Sequence, residues 1–190
     1  MSGRVLVAGI GNIFLGDDGF GVETVRALSA HALPGHVEVA DFGVRGVHLA
    51  YQLLDGYETL VLVDATERGG PPGTLYLIEA PGSAPVGGRP VLDGHHMSPD
   101  AVLGLLGTLC AGTGSTPPRR TYVVGCEPAC VDEGMGLSGP VAAAVPEAVR
   151  MLLDLLRAGE AGPGPETSNH CELRSLNDEV KPPARPAGRR

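Results

Sequence analysis

The sequence predicts an α/β fold: a three-layer α/β/α sandwich around a mostly parallel, twisted five-stranded sheet with one antiparallel strand. Two observations carry this prediction. Short apolar, β-branched runs alternate with segments of helical spacing, and one pair of runs lies too close together for a helix between them. The chain has 190 residues, 43% of them hydrophobic, which suits one well-buried domain. We assign that domain to residues 1–158.

Five apolar runs are expected to form the strands, and the first, residues 4–8, is apolar enough to be buried on both faces. The others are residues 37–40, 59–63, 74–78 and 121–124, with helices expected at 20–31, 44–55, 99–110 and 139–157. The link at residues 65–73 is short and rich in Gly and Pro, so the fourth strand is expected to run antiparallel. Pro146 is expected to kink the last helix or to mark a second start.

Composition limits the classes of function. Residues 159–190 are rich in Pro, Gly, Ser and charged residues and are predicted to be a disordered tail. The tail holds five acidic and five basic residues, so the net charge of −8 belongs to residues 1–158 and argues against nucleic-acid binding. No apolar run approaches the roughly 18 residues of a membrane span, and no secretory signal is recognisable. Four cysteines are too few for a disulfide scaffold, and a cytoplasmic protein is expected.

The cysteines do not predict a metal centre. Cys126 and Cys130 form a single Cys-x-x-x-Cys pair, and a zinc site ordinarily needs a second pair of ligands. We expect Cys126 to be a small buried apolar residue at the end of a strand.

The turn after the first strand, residues 9–21, is the most informative segment, because it combines glycines with Asp17 and Asp18. A dinucleotide site is one alternative, but the third glycine of that fingerprint would fall at Phe14, and two carboxylates would repel a pyrophosphate. A simpler alternative is that the two aspartates only cap the following helix.

Other candidate ligands follow later elements. Asp64 ends the third predicted strand, and His95 and His96 precede the helix expected at residue 99. The loop of about 14 residues from Pro81 could span over 40 Å, at about 3.3 Å per residue, and return the histidines to the same sheet edge. Two carboxylates and an imidazole suit Ni, Zn, Mn or Fe ions, and three ligands leave coordination positions open. No Gly-x-Ser-x-Gly elbow supports a covalent hydrolase.

These motifs together resemble those of the maturation endopeptidases of nickel-iron hydrogenases. The matching runs are VLVAGIGNIFLGDDGFG, DFGVRG, LVLVDA, HHM, VVGCEP and GLSGPVAAAVPEAV, in this order between residues 4 and 157. The resemblance implies an endopeptidase that removes the C-terminal extension of a hydrogenase large-subunit precursor after nickel insertion. The precursor would supply the nickel, and no organic cofactor is expected. The tail takes no part in the resemblance.

The resemblance also implies a site. Asp18, Asp64 and His95 would hold the metal and carry the reaction, as an aspartate-type endopeptidase or a metal-dependent hydrolase. His95 is chosen over His96 because the family pattern is histidine, any residue, then Met or Leu. Asp17 is expected to position the loop through backbone hydrogen bonds.

Two further points remain open at the level of sequence. Gly9, Gly11 and Gly43 are expected to let backbone approach the bound peptide, although a tight turn explains Gly43 equally well. A non-proteolytic, metal-dependent chaperone of the large subunit is the alternative function.

Overall fold

A computed structural model of the protein describes residues 3–80 and 99–160. Strands and helices alternate through these ranges. In chain order they are β1 (Val5–Ile10), α1 (Phe20–Leu28), β2 (Val37–Gly43), α2 (Gly46–Gln52), β3 (Thr59–Ala65), β4 (Leu75–Ala80), α3 (Pro99–Thr113), β5 (Arg120–Cys126) and α4 (Gly139–Glu160). Short 3-10 turns lie at Gly16–Gly19 and Leu53–Asp55.

The sheet has the strand order β2-β1-β3-β5-β4. β1, β2, β3 and β5 are parallel, whereas β4 pairs antiparallel with β5. The predicted fold class, including its one antiparallel strand, is confirmed. Because the chain moves from β1 outward to β2 and then back to β3 on the other side of β1, the strand order switches between β1 and β3. Ligand sites of open α/β sheets form at such a switch, outside the carboxyl ends of the strands.

Alternating side chains divide the core into two layers. Leu6, Ala8, Leu60 and Leu62 belong to a cluster with residues of α2 and α3, and Val7, Val61 and Val63 to one with residues of α1 and α4. Both sheet faces are thus buried, as the continuous apolar run of β1 predicted, and β3 is buried in the same way. Asp64 follows Leu60 and Leu62 at intervals of two, so it belongs to the α2 and α3 face.

Two glycines bring α1 unusually close to the sheet. A methyl group on Gly9 would lie 2.5 Å from the Gly21 carbonyl oxygen, and one on Gly21 would overlap the carbonyl oxygens of Val63 and Ile10. The space beside Gly11, which has a φ of 123°, is filled by the Asp18 carbonyl oxygen. The expectation that Gly9 and Gly11 provide clearance for a peptide was therefore wrong, because the protein itself occupies that space. Gly43 has a φ of 52°, as a turn requires.

The element boundaries differ from prediction at strand and helix ends: each strand continues two or three residues past its predicted end. α1 ends at Leu28, and α2 ends at Gln52 before a 3-10 turn. α4 continues through Pro146, so this proline does not start a second helix. The loop predicted at residues 81–94 and residues 161–190 of the predicted tail lie outside the described residues. Among the helices in residues 3–80 and 99–160, none is long and apolar enough to cross a membrane.

Candidate functional site

Asp18 lies in the turn after β1, and Asp64 lies at the carboxyl end of the adjacent strand β3. Asp18 belongs to the 3-10 turn Gly16–Gly19, and its Oδ2 accepts a hydrogen bond of 2.6 Å from the backbone N–H of Asn12. Asp64 is the penultimate residue of β3 and is 9% exposed. The strand pairing places these two predicted residues at the switch between β1 and β3.

The environment of Asp64 disfavours a negative charge. Burial, together with the negative charge of Asp18, raises the pKa of the Asp64 carboxyl well above its ordinary value, although the Ala65 backbone N–H opposes the shift. Within the described ranges, neither Asp18 nor Asp64 forms an ion pair with a basic side chain. A bound cation would supply the missing positive charge, so the two carboxylates fit a metal ion.

Asp17 has a separate, structural role. Its carboxylate accepts hydrogen bonds from the backbone N–H groups of Ala129, Cys130 and Ser138 at 2.8, 3.1 and 2.6 Å, and from the Ser138 hydroxyl at 2.9 Å. Burial raises the pKa of Asp17, but these hydrogen bonds outweigh it and lower the pKa overall. Backbone hydrogen bonding by Asp17 is confirmed, and its partners come from the segment between β5 and α4.

The turn that carries Asp18 is also fixed by local backbone geometry. The Asn12 side chain accepts a hydrogen bond of 3.0 Å from the N–H of Phe14, and the Asp18 N–H donates to the Leu15 carbonyl at 3.1 Å. Gly11 must be glycine, because of its positive φ and because the Asp18 carbonyl fills the space beside it. These contacts hold the Asp18 carboxylate close to the end of β1.

Glu127 is a buried carboxylate that the sequence analysis did not single out. It follows β5 and accepts hydrogen bonds from the N–H groups of Arg68 and Gly69 and from the Tyr76 hydroxyl, the last at 2.7 Å. Burial opposes its ionisation, yet these donors lower the pKa of Glu127. The sequence pattern at Glu127 is the same as the pattern that identified Asp64: an acidic residue directly after an apolar run. Glu127 holds the loop that follows Asp64.

The two central cysteines differ in environment. Cys126 is fully buried, as expected, and burial together with the charges of Asp17 and Glu127 raises its pKa to about 11. Cys130 is exposed, and its thiol lies 3.1 Å from an Asp132 carboxylate oxygen. A buried, protonated thiol and an exposed one do not form a metal site together.

His95 and His96 lie outside the described residues, so the structure brings together two of the three predicted ligands. In the part of the chain that is described, no group of three or more His, Cys, Asp and Glu side chains could hold a metal ion. α3 begins at Pro99 and its chain leads into the start of β5, so its N-terminus lies at the carboxyl edge of the sheet.

Comparison with known proteins identifies close similarity over most of the chain. The family model HycI, described as hydrogenase maturation protease, matches residues 22–155. The hydrogenase expression/formation protein HupD of Rhizobium leguminosarum bv. viciae is 32% identical over 157 residues, which are 82% of this chain and 75% of that protein.

Solved structures of hydrogenase maturation peptidases are also similar to this chain. The fold matches the hydrogenase maturating endopeptidase HybD from E. coli with a TM-score of 0.66 and 30% identity, over 84% of this chain and 94% of that one. It matches the hydrogenase 2 maturation peptidase from Thaumarchaeota archaeon SCGC_AB-539-E09 with a TM-score of 0.62 and 32% identity, over 81% and 98% of the two chains.

Proposed function

The chain belongs to the hydrogenase maturation protease family, and from this premise we propose that it removes the C-terminal extension of a nickel-iron hydrogenase large-subunit precursor after nickel insertion. The observation that carries the proposal is the pair Asp18 and Asp64 at the β1/β3 switch, one of them buried and, among residues 3–80 and 99–160, without a positive partner. Such a pair suits a protein that recognises a substrate by its metal ion. We expect the reaction to take place in the cytoplasm, as the sequence predicts.

In this proposal the nickel belongs to the substrate and docks it. Asp18 and Asp64 bind the ion, and His95 completes the set. His95 precedes Pro99 by four residues, and four residues reach at most about 14 Å from the N-terminus of α3. The position of α3 at the carboxyl edge supports this assignment. Without a metal ion the two carboxylates repel each other, which favours binding of a divalent cation over an empty site.

Hydrolysis adds water to the scissile carbonyl and transfers a proton to the leaving amine. Nickel held by three protein ligands has open positions, from which it can polarise that carbonyl. Because its pKa is raised, the Asp64 carboxyl can also take up a proton from the attacking water. The proposal therefore includes both classes of peptide hydrolysis, metal-assisted and aspartate-type, at one site.

The test uses nickel-loaded and nickel-free precursor of the cognate large subunit. The wild-type protein is expected to remove a short C-terminal peptide from the nickel-loaded precursor only, which mass spectrometry detects. Asp18→Asn, Asp64→Asn and His95→Ala are expected to lower the cleavage rate at least about 100-fold. Asp55→Asn is the matched control, since Asp55 is exposed beside the start of β3, at the opposite edge of the sheet.

Three results would contradict the proposal. Equal cleavage of nickel-free precursor would exclude docking through nickel. Wild-type activity in any of the three site variants would exclude that residue from the site. Retention of the precursor with no change in its mass would favour the chaperone alternative.

A further inference from the structure

An exposed apolar surface lies directly beside the turn that carries Asp18. Phe14, Val131 and Met135 are 61, 50 and 77% exposed, although large apolar side chains are ordinarily buried. Phe14 precedes Asp18 by four residues, and the other two lie in the segment between β5 and α4. We call these three residues, with Asp132 and Glu133, the Phe14–Met135 surface.

The surface is held in place by backbone pairing. The Gly134 N–H donates to the Phe14 carbonyl and the Gly16 N–H donates to the Gly134 carbonyl, both at 2.9 Å. Leu15 and Gly134 form a parallel bridge. These contacts place the backbone of Phe14 against that of Gly134, whose chain neighbours are Glu133 and Met135.

Asp17 ties the same two segments together, through its hydrogen bonds to Ala129, Cys130 and Ser138. The Phe14–Met135 surface and the Asp18 carboxylate are therefore parts of one fixed unit. A partner that contacts the surface is positioned with respect to Asp18 without any loop having to order first, which lowers the entropic cost of binding.

The charge of the surface indicates what its partner carries. Asp132 and Glu133 are exposed, and among the described residues neither forms an ion pair with a basic side chain. Asp18, in the turn that pairs with this segment, adds negative charge on the side of the candidate site. The charged residues of the surface itself, Asp132 and Glu133, are both acidic, so a basic partner is favoured and an acidic one is repelled.

We propose that the Phe14–Met135 surface is a docking site for a segment of the large-subunit precursor that carries both apolar side chains and Lys or Arg. This inference rests on the proposed function and adds a second contact to docking through nickel. Phe14 and Met135 supply the apolar contact, and Glu133 supplies the charge. Selectivity among precursors would then depend on the segment that meets this surface, since the metal is common to them.

The test is a kinetic one with nickel-loaded precursor. Phe14→Ser and Met135→Ser are each expected to raise KM about tenfold, which corresponds to about 1.4 kcal/mol of lost apolar contact, and to leave kcat within about twofold. Glu133→Lys is expected to raise KM and to weaken the dependence of KM on salt concentration. Midpoints of thermal unfolding within a few degrees of wild type show that these exposed positions do not alter folding.

Two matched controls lie at the opposite edge of the sheet. Tyr51 is 56% exposed in the last turn of α2, and Asp55 precedes β3. Tyr51→Ser and Asp55→Lys are expected to keep the wild-type KM. Unchanged KM in both Phe14→Ser and Met135→Ser would overturn the proposal, and so would an equal rise in KM in the controls.

Calorimetric binding of the precursor separates this inference from the proposed function. If wild type binds the precursor but never cleaves it, while Phe14→Ser and Met135→Ser weaken binding, the docking surface stands and the endopeptidase proposal fails. If wild type cleaves and the variants bind with unchanged affinity, only the surface is excluded. A wild-type protein that neither binds nor cleaves would overturn both.

Discussion

The Asp64 carboxyl has an unfavourable place in the folded protein as long as no cation is present. Its pKa is raised by burial and by the charge of Asp18, so the folded state holds its proton more tightly than the unfolded state. The contribution of Asp64 to stability is then largest at acid pH. It declines as the pH rises from the unfolded value near 3.8 toward the raised folded value.

Asp64→Asn is therefore expected to stabilise the metal-free protein at pH 7 by about 1–3 kcal/mol while it abolishes cleavage. Urea unfolding at pH 7 and at pH 4 measures the effect, which should be smaller at pH 4. A variant less stable than wild type at pH 7 would contradict the view that burying the Asp64 carboxylate destabilises the metal-free protein.

The pKa of Asp17 is shifted in the opposite direction to that of Asp64, although Asp17 is the neighbour of Asp18 in sequence. Hydrogen bonds to its ionised form outweigh burial and lower its pKa, so the stability that it contributes is present above the unfolded pKa near 3.8. This contribution is lost as the pH falls through the folded pKa. Adjacent aspartates thus serve two purposes, and the distinction arises from their partners.

At the level of elements, Asp17 connects the Gly16–Gly19 turn to the segment between β5 and α4. Asp17→Ala would leave three backbone N–H groups and the Ser138 hydroxyl without their acceptor. We expect it to lower the free energy of unfolding by about 2–4 kcal/mol at pH 7 and to weaken metal affinity as the Asp18 turn loosens. Urea titration and metal binding by calorimetry measure the two effects. A loss of stability with unchanged metal affinity would limit Asp17 to a purely structural role.

The contact of α1 with the sheet depends on Gly21. Gly21→Ala would force the added methyl group against the carbonyl oxygens of Val63 and Ile10, and we expect a loss of about 2–4 kcal/mol of stability. Gly107→Ala is the matched control, because Gly107 lies inside α3 and a methyl group added there would enter open space. Gly107→Ala is expected to raise the free energy of unfolding by about 0.5–1 kcal/mol, since alanine restricts the conformations of the unfolded chain. Chemical denaturation compares the pair, and equal effects would refute the packing argument.

For the whole molecule, the two core layers share one sheet and should unfold together. Leu62 lies in the layer with α2 and α3, and it is fully buried. Leu62→Ala is expected to lower the free energy of unfolding by about 2–5 kcal/mol. Unfolding should remain a single transition, because β3 also contributes side chains to the layer with α1 and α4. Far-ultraviolet circular dichroism and tyrosine fluorescence should report the same midpoint; the chain has no tryptophan. Separate midpoints would show that the layers unfold independently.

The sequence by itself determined the order of strands and helices, the antiparallel β4 and the candidates Asp18 and Asp64. The elements and Asp64 have local causes, namely hydrophobic periodicity, a link too short for a helix, and an acid at the end of a buried strand, whereas the family resemblance of the turn distinguished Asp18 from Asp17. Only the tertiary structure assigned Asp17 to the segment after β5, gave Glu127 its donors, and showed that α1 fills the space beside Gly9. Each of these contacts joins residues brought together by the sheet, and no local pattern of residues records which distant backbone will approach.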